Sequence, residues 1–427
     1  MKQSLKIIPV SHADVARTLR AEIDRFETAA WRRNLAFAVS LAGYRTLFVL
    51  NTLLARAWLA WKKSELRAMD RIVLMQVYSF GIIIEGTDAY RRKWRDEACG
   101  VIVPYPILGF RGRADANPWL TKLNGGFNIF LIPAIQGFNL VRPLRVFTWS
   151  SDAQLKFQSW FLPRLAAALP KAEVEPLWQV EDGFKPKGKP LSPGNENYGF
   201  HVGAAMLRME RPTPGVHLKQ KVRHMAQAAV RAASTPGLSR TANFYMRQKN
   251  TTDSMSSLRN GGPFEDYLPA IDLLTRRGFV VLVNGDVRIP SDLRDAWKGR
   301  LLDAEACGLD GGLFSLYAAT ECDISIGEPG GGFWLPTING TPSLMINAFP
   351  LYMGREHTTL LFKGLRTKAG GRIPIATLLR ERLYDHHCAD LQLFTNTPGE
   401  IVAAVEEFLD FVGAKVESPP NPFIDAL

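Results

Sequence analysis

The chain has 427 residues, of which 46% are hydrophobic and 22% are charged. A chain of this length and composition can bury more than one core, which excludes an intrinsically disordered protein and predicts two globular domains. The 52 Lys and Arg residues outnumber the 41 Asp and Glu residues and give a net charge of +11. Such a surface attracts phosphates, nucleic acid or anionic lipid headgroups.

The cysteine pattern and the N-terminal sequence predict a cytoplasmic protein. Its four cysteines, at positions 99, 307, 322 and 388, are too few and too scattered for a disulfide framework. No CxxC pair offers zinc spacing, and the adjacent His386 and His387 lack a third ligand nearby. The first residues lack the apolar core of a secretory signal, because charge returns at Asp14 and Arg17.

Residues 14–94 have a helical pattern, and residues 31–61 of this segment form a dense apolar stretch. Arg45 and Arg56 interrupt it, whereas a bilayer span needs about 20 apolar residues without such breaks. The pattern favours a buried or domain-packing helix first, an interfacial helix second and a true span last. An interfacial helix would place the protein peripherally on an anionic membrane surface, with its end tryptophans at headgroup level and four basic residues on phosphates, namely Arg32, Arg33, Lys62 and Lys63. The apolar run 72–84 is expected in the core.

From Cys99 onward the pattern alternates between strands and helices. Strands are predicted at 99–110, 127–135 and 144–149, helices at 152–169 and 218–233, and a surface loop at 184–199. A sustained alternation follows, with strands at 242–247, 279–286, 322–328 and 341–350 and helices at 264–278, 313–321 and 333–340. This pitch predicts an α/β fold with doubly wound parallel sheets. The predicted organisation is a helical region (1–97), an α/β acceptor domain (98–240) and an α/β nucleotide-sugar-binding domain (241–427).

Doubly wound sheets bind ligands at the carboxyl ends of their strands, so the residues found there are the candidate site. Arg247 and Lys249 follow one strand, and the polar loop after them closes in Arg259 and Asn260. A guanidinium group can donate two hydrogen bonds to the oxygens of one phosphate, so these basic residues could hold a diphosphate. The alternative is that they form solvated ion pairs, as surface arginines more often do.

Two further strand ends are turns that contain glycine. Gly285 and Asp286 end the strand FVVLVNGD, where glycine allows close approach of a ligand and the acid could take a hydroxyl or base edge. An ordinary turn with a cap is the alternative. Glu328, followed by Pro329 and three glycines, ends the strand CDISIGE and could accept ribose or sugar hydroxyls; capping the next turn is the alternative. The glycines precede a helix, and backbone N–H groups at such a position bind anions.

Several known site types are missing. The glycine cluster is neither a Walker A loop nor a GxGxxG fingerprint, and the sequence has no nucleophile elbow, HExxH or DxD motif. We therefore expect no metal and no cofactor. Aromatic residues are not interleaved with a basic stripe, so nucleic acid is not an expected partner.

Residues 244–379 resemble a family of bacterial glycosyltransferases encoded near surface-polysaccharide genes. The resemblance rests on the ordered segments MR, SLRN, DYLPAIDLLTRRG, VNGD, CDISIGEPGGG, LPTINGTPSLMINAFP and LLFKGLRTKAGGRI. It implies a GT-B-like fold of two Rossmann-like domains and donor or phosphate roles for eight residues, which are Arg247, Arg259, Asn260, Gly285, Asp286, Gly330, Gly331 and Asn347. Family members commonly have a serine-glycine pair where this chain has Pro329, and an acid where it has Gln248.

The sequence thus predicts a glycosyltransferase that moves a sugar from a nucleotide-sugar donor to a glycan or lipid-linked acceptor. Cationic groups, in place of a metal, would stabilise the departing diphosphate. An inverting reaction needs a base from the N-terminal half. Asp115 is the candidate, with turn capping as the alternative. The rival functions are a binding or assembly protein that retains the fold without catalysis, and a nucleotide-sugar epimerase.

Overall fold

A computed structural model of the chain describes residues 10–26, 28–75, 80–108, 117–135, 151–176, 215–248, 259–349, 358–367, 370–374, 376–377 and 391–413. The chain divides into two compact units. The first contains Met1–Thr121 and Gly126–Gly183, and the second contains Lys122–Gly125 and Phe184–Leu427. This division lies upstream of the 240/241 boundary set from the sequence.

The part of the first unit that the structure describes contains a four-stranded sheet and four α-helices. The helices are α1 (His12–Phe26), α2 (Ala30–Leu66), α3 (Phe80–Lys93) and α4 (Ser151–Ala168). The strands are β1 (Arg71–Leu74), β2 (Cys99–Leu108), β3 (Asn128–Ile135) and β4 (Glu173–Pro176). All neighbouring strands are parallel, in the order β3-β2-β1-β4.

Strand β1 interrupts the segment that the sequence pattern presented as helical throughout. Its residues Ile72, Val73 and Leu74 are fully buried, and β1 pairs with β2 on one side and β4 on the other. A short apolar run buried on both faces has no period that separates a strand from a helix, which is why the pattern missed it. The expectation that the run belongs to the core is confirmed for these residues.

The core of the first unit lies between this sheet and helices α2 and α4. Trp58 of α2 packs against Phe161 of α4, with ring centroids 6.5 Å apart. Ile102 of β2 and Ile132 of β3 belong to the same buried cluster. The helix predicted at 152–169 and the strand predicted at 127–135 are therefore confirmed, whereas the strand predicted at 144–149 and the loop at 184–199 lie outside the described residues.

In its described residues, the second unit contains a six-stranded sheet, a separate strand pair and six α-helices. The sheet strands are β5 (Arg240–Met246), β6 (Phe279–Gly285), β7 (Leu301–Leu302), β8 (Ile324–Gly327), β9 (Ser343–Ala348) and β10 (Thr358–Phe362). The helices are α5 (Gln220–Ala233), α6 (Leu268–Arg276), α7 (Ser291–Ala296), α8 (Gly311–Glu321), α9 (Trp334–Asn339) and α10 (Pro398–Gly413). Strands β11 (Gly364–Thr367) and β12 (Leu391–Phe394) form the antiparallel pair.

The strand order of the six-stranded sheet is that of a Rossmann fold. All its pairings are parallel, and the strands lie in the order β10-β9-β8-β5-β6-β7. If β5 to β10 are numbered 1 to 6 along the chain, this order, starting from the β7 edge, is 3-2-1-4-5-6. The four strands of the first unit follow the beginning of the same order. The α/β fold class predicted from the sequence, with two Rossmann-like, doubly wound sheets, is therefore confirmed.

Strand β6 illustrates why these segments become central strands. Residues 279–283 form an uninterrupted apolar run and are all buried, because helices cover both faces of a doubly wound sheet. Ile271 and Leu274 of α6 and Phe408 of α10 belong to the same core cluster. This packing holds the sheet in place, and the sheet in turn positions the loops at the carboxyl ends of its strands.

Candidate functional site

The candidate site lies where β5 and β8 end, at the point where the strand order of the second unit reverses. Arg247 directly follows β5, and Glu328 directly follows β8. The backbone N–H of Arg247 donates to Oε2 of Glu328 across 2.6 Å, and the backbone N–H of Glu328 donates to the carbonyl of Tyr245 across 3.0 Å. Crevices at such a reversal are the usual ligand sites of open α/β sheets.

The carboxyl group of Glu328 is fully buried and is held by three donors. Besides the Arg247 N–H, its Oε1 accepts from the Tyr267 hydroxyl and, at 3.4 Å, from Nδ2 of Asn347. Burial raises the pKa of Glu328 to about 7, although these hydrogen bonds favour its ionised form and work in the opposite direction. Glu328 therefore titrates near neutral pH, unlike an ordinary surface carboxylate.

Tyr267 joins the carboxyl group to the neighbouring loop. It lies in a short 3-10 turn before α6, and its hydroxyl accepts from the backbone N–H of Gly262 across 2.9 Å. Burial and the adjacent Glu328 both raise its pKa, so the hydroxyl remains a hydrogen-bond donor to the carboxylate. Tyr267 was not predicted as a site residue, and the available signal in the sequence was a tyrosine at the start of an apolar helix.

Asn347 is the penultimate residue of β9 and is the described non-glycine residue with a positive φ, 52°. Its N–H donates to Oδ1 of Asn396 across 2.8 Å, and the N–H of Asn396 donates to Oδ1 of Asn347 across 2.7 Å. Asparagine tolerates the left-handed conformation better than most residues, and this reciprocal pair holds it there. In this conformation the side chain of Asn347 reaches Tyr267 and Glu328. Asn396 was not predicted as a site residue from the sequence.

Lys363 is a buried cation next to the same cluster. It follows β10, and its Nζ donates to the backbone carbonyl of Asn260 across 2.6 Å. Burial lowers the pKa of Lys363 to about 8, and the charge of Glu328 opposes that shift. Lys363 lies in the segment LLFKGLRTKAGGRI, which carries part of the family resemblance, but it was not predicted as a site residue.

The loop that carries Arg259 and Asn260 lies against the end of β5. The N–H of Gly261 donates to the carbonyl of Arg247 across 3.4 Å, and Nε2 of Gln248 donates to the carbonyl of Gly262 across 3.0 Å. A Cβ atom at Gly261 would overlap the carboxyl group of Glu328. Glycine therefore allows this loop to cross directly over the buried acid.

The glycine cluster after β8 packs on Tyr245, the residue before the end of β5. A Cβ at Gly330 would come within 2.7 Å of the Tyr245 hydroxyl, and a Cβ at Gly332 would overlap its ring. Tyr245 is itself buried, and burial raises its pKa to about 12. The absence of side chains here thus serves close packing of the turn on an aromatic ring.

Gly285 and Asp286 lie at the end of β6, beside β5. Gly285 has φ 112°, and a Cβ there would overlap the carbonyl oxygen of Met246, which accepts from the Asp286 N–H across 3.0 Å. Both residues are exposed. A glycine is therefore required at this position, and the acidic side chain beside it faces solvent at the carboxyl edge.

Most of the site residues predicted from the sequence fall at this one edge. The described ones are Arg247, Arg259, Asn260, Gly285, Asp286, Glu328, Gly330, Gly331 and Asn347. Their donor-binding roles remain predictions. Lys249, Asp115 and the histidine pair His386 and His387 lie outside the described residues.

The described part of the chain contains no group of three or more His, Cys, Asp or Glu residues that could hold a metal ion. The cations at the carboxyl edge, Arg247, Arg259 and Lys363, instead suit an anionic ligand with several oxygens. Phosphate groups are ligands of this chemistry.

The fold is similar to solved structures of bacterial glycosyltransferases. A family 9 glycosyltransferase from Veillonella parvula is 13% identical over 80% of this chain and 97% of its own, with a TM-score of 0.43. The ADP-heptose lipopolysaccharide heptosyltransferase II of E. coli is 10% identical over 80% of this chain and 99% of its own, also at 0.43. The iron-containing dodecameric glycosyltransferase TibC of enterotoxigenic E. coli is 11% identical over 81% and 79%, at 0.39.

No protein-family model matches the chain, and no curated protein sequence matches it.

Proposed function

We propose that the protein is a glycosyltransferase whose second unit binds a nucleotide-sugar donor at the carboxyl ends of β5, β6, β8 and β9. The observation that carries the proposal is the cluster of Arg247, Glu328, Tyr267, Asn347 and Lys363 at the point where a sheet of Rossmann order reverses. Nucleotides bind at this point in doubly wound sheets.

The diphosphate of the donor would lie against the cations of the edge. Arg247 and Arg259 belong to two segments that meet where the Gly261 N–H donates to the Arg247 carbonyl, and this proximity in the backbone supports a shared role at one ligand. These groups could neutralise the charge that develops on the departing diphosphate without a metal or a cofactor.

The carboxyl group of Glu328 already accepts from three protein donors and is fully buried. This arrangement favours a positioning role for Glu328 over direct contact with ribose. It would hold the Arg247 backbone and the loop at 259–262 in the geometry that presents the arginines.

The reaction would be a displacement at the anomeric carbon. An acceptor hydroxyl oxygen forms the new bond to that carbon, the bond from the carbon to the diphosphate oxygen breaks with its electron pair, and the hydroxyl proton passes to a base. The direct displacement inverts the configuration. We propose Asp115 as the base, and glycans or lipid-linked glycans of the cytoplasmic side as the acceptor.

The test is a panel of UDP-, GDP-, ADP- and CMP-sugars incubated with pure protein in EDTA, with and without a glycan acceptor. A glycosyltransferase should release nucleoside diphosphate, or nucleoside monophosphate from the CMP-sugar, faster when acceptor is present. Interconversion of the sugar without acceptor would support an epimerase instead. Binding of donors without hydrolysis or transfer would support a binding protein, which the Pro329 and Gln248 positions favour.

A further inference from the structure

Helix α2 carries a continuous exposed apolar face. Among the described residues, every exposed large hydrophobic side chain except Met225 lies on this helix, and they are Trp31, Leu35, Val39, Val49, Leu50, Leu53 and Trp61. They recur at intervals that fall on one side of an α-helix. The two tryptophans near its ends are 64% and 71% exposed. A contiguous exposed face of this kind marks an interaction surface.

The opposite face of α2 is fixed to the first unit along the length of the helix. The Tyr44 hydroxyl lies 2.7 Å from Nδ1 of His12 in α1. Farther along, Asn51 pairs with both backbone groups of Ile135 at the end of β3, with distances of 3.0 and 2.6 Å. Trp58 then packs on α4. The helix is an integral part of the α/β unit, and only its outer side is available to a partner.

The charges of α2 are almost all positive. The helix contains six basic residues, Arg32, Arg33, Arg45, Arg56, Lys62 and Lys63, and one acid, Glu65, which pairs with Lys62 across 2.6 Å. Arg45 and Arg56 are exposed and, at 3.6 residues per turn, lie together along one flank of the apolar face. A row of cations beside a row of apolar side chains complements anionic headgroups above acyl chains.

We propose that this face of α2 binds the protein to an anionic membrane surface, with the helix axis in the plane of the membrane. Trp31, Leu35, Val49, Leu53 and Trp61 would enter the boundary between headgroups and acyl chains, with the cationic flank on lipid phosphates. The site in the second unit plays no part in this argument, so the two proposals stand or fall separately.

The in-plane orientation follows from the packing of the helix. By length and composition α2 is the helix in the described residues that could cross a membrane. It has 37 residues, a length of about 55 Å, whereas the hydrocarbon core measures about 30 Å. Its buried residues run from Ala36 to Leu66, so a transverse stretch of about 20 residues would have to leave its partners in the α/β unit.

The first experiment measures binding of the full chain to phosphatidylcholine vesicles with and without phosphatidylglycerol, by co-sedimentation. The test variant combines Leu35→Gln, Val49→Gln and Leu53→Gln, which removes apolar contact without changing the charge. The matched control is Met225→Gln, an exposed apolar residue on α5. We expect the wild type and the control to bind anionic vesicles, less so at high salt, and the triple variant to bind roughly tenfold more weakly.

A second measurement uses the wild type, so its result does not depend on whether the triple variant folds. Brominated lipids should quench tryptophan fluorescence of the wild type, and Trp31→Phe with Trp61→Phe should remove most of that quenching. No binding to anionic vesicles, or equal binding by the triple variant, would overturn the proposal. So would protection of residues 31–61 from protease on both sides, which indicates a span, or a dimer in solution that the triple variant abolishes, which indicates a second copy as occupant.

Discussion

The backbone N–H of Arg247 donates to Oε2 of Glu328 and joins the end of β5 to the end of β8. These strands are adjacent in the sheet but 81 residues apart at this contact. Through Tyr267 and Asn347, the same carboxyl group also reaches the loop before α6 and the end of β9. Four segments of the carboxyl edge are thus set by one buried acid.

Replacement of Glu328 by glutamine should lower the free energy of unfolding by about 1–3 kcal/mol. The two carboxyl oxygens of Glu328 accept from the Arg247 N–H and the Tyr267 hydroxyl. In glutamine one of these oxygens is replaced by an NH₂ group, which cannot accept, so one of the two donors loses its partner. Urea unfolding checks the result. Glu406→Gln, on the exposed side of α10, is the control and should change the stability little. Equal stability of wild type and Glu328→Gln would contradict the description of this network.

The raised pKa of Glu328 predicts a specific dependence of stability on pH. In the folded chain the pKa of Glu328 is about 7, whereas in the unfolded chain it has the ordinary value of 4.5. Between these two pH values the folded state therefore binds more protons than the unfolded state. The contribution of Glu328 to the free energy of unfolding should therefore be greatest below pH 4.5. It should fall by up to about 3 kcal/mol as the pH rises through 7. Glu328→Gln should lack that component of the slope, and parallel pH profiles of the two proteins would show that Glu328 ionises normally.

Replacement of Gly332 by alanine should destabilise the second unit by about 1–3 kcal/mol, because the new methyl group overlaps the buried ring of Tyr245. Thermal unfolding measures the effect. Gly311→Ala at the start of α8 is the matched control, since a Cβ there meets no atom within 4 Å. If the two variants unfold at the same temperature, the glycine turn does not rest on Tyr245.

Replacement of Asn51 by leucine should cost the first unit about 2–4 kcal/mol of stability, because it leaves both backbone groups of Ile135 without their partner. Asn34→Leu, at an exposed position of the same helix, should be nearly neutral. Urea unfolding followed by circular dichroism compares the two. A neutral Asn51→Leu would mean that α2 is not tied to β3 at this point.

The sequence predicted the second unit well where long apolar runs alternate with amphipathic helices. Strands β5, β6, β8 and β9 and helices α6 and α8 all formed near the predicted positions. The short strands β1, β4, β7 and β10 were missed, because two to five residues give little periodicity. Strand β8 is equally short, but the turn sequence PGGG just after it marks its end.

The candidate site was predicted only as residues that follow strands. Arg247 and Glu328 could be named because each ends a readable strand. Lys363 and Asn396 could not, since their contacts with Asn260 and Asn347 depend on where β10 and the segment after β12 lie. That arrangement follows from the strand order, which one sequence does not specify.

Arg259→Ala should weaken binding of a nucleoside diphosphate by roughly 1.5–3 kcal/mol, the usual worth of hydrogen bonds to a charged group. Arg276→Ala, an exposed arginine of α6 paired with Asp272, is the control and should bind as the wild type does. Isothermal titration calorimetry measures both. Unchanged affinity of Arg259→Ala would move the phosphate contact to another cation of the edge, with Arg247 next.

The most direct test of the proposed donor site is calorimetric titration of the wild type and Lys363→Met with UDP, GDP, ADP and CMP in EDTA. We expect one of the nucleotides to bind the wild type without metal. Lys363→Met should bind it at least tenfold more weakly, because the buried cation beside Glu328 and Asn260 is gone. Binding that requires a divalent metal, or equal affinity of the two proteins, would contradict a metal-free diphosphate site at the carboxyl ends of β5 and β8.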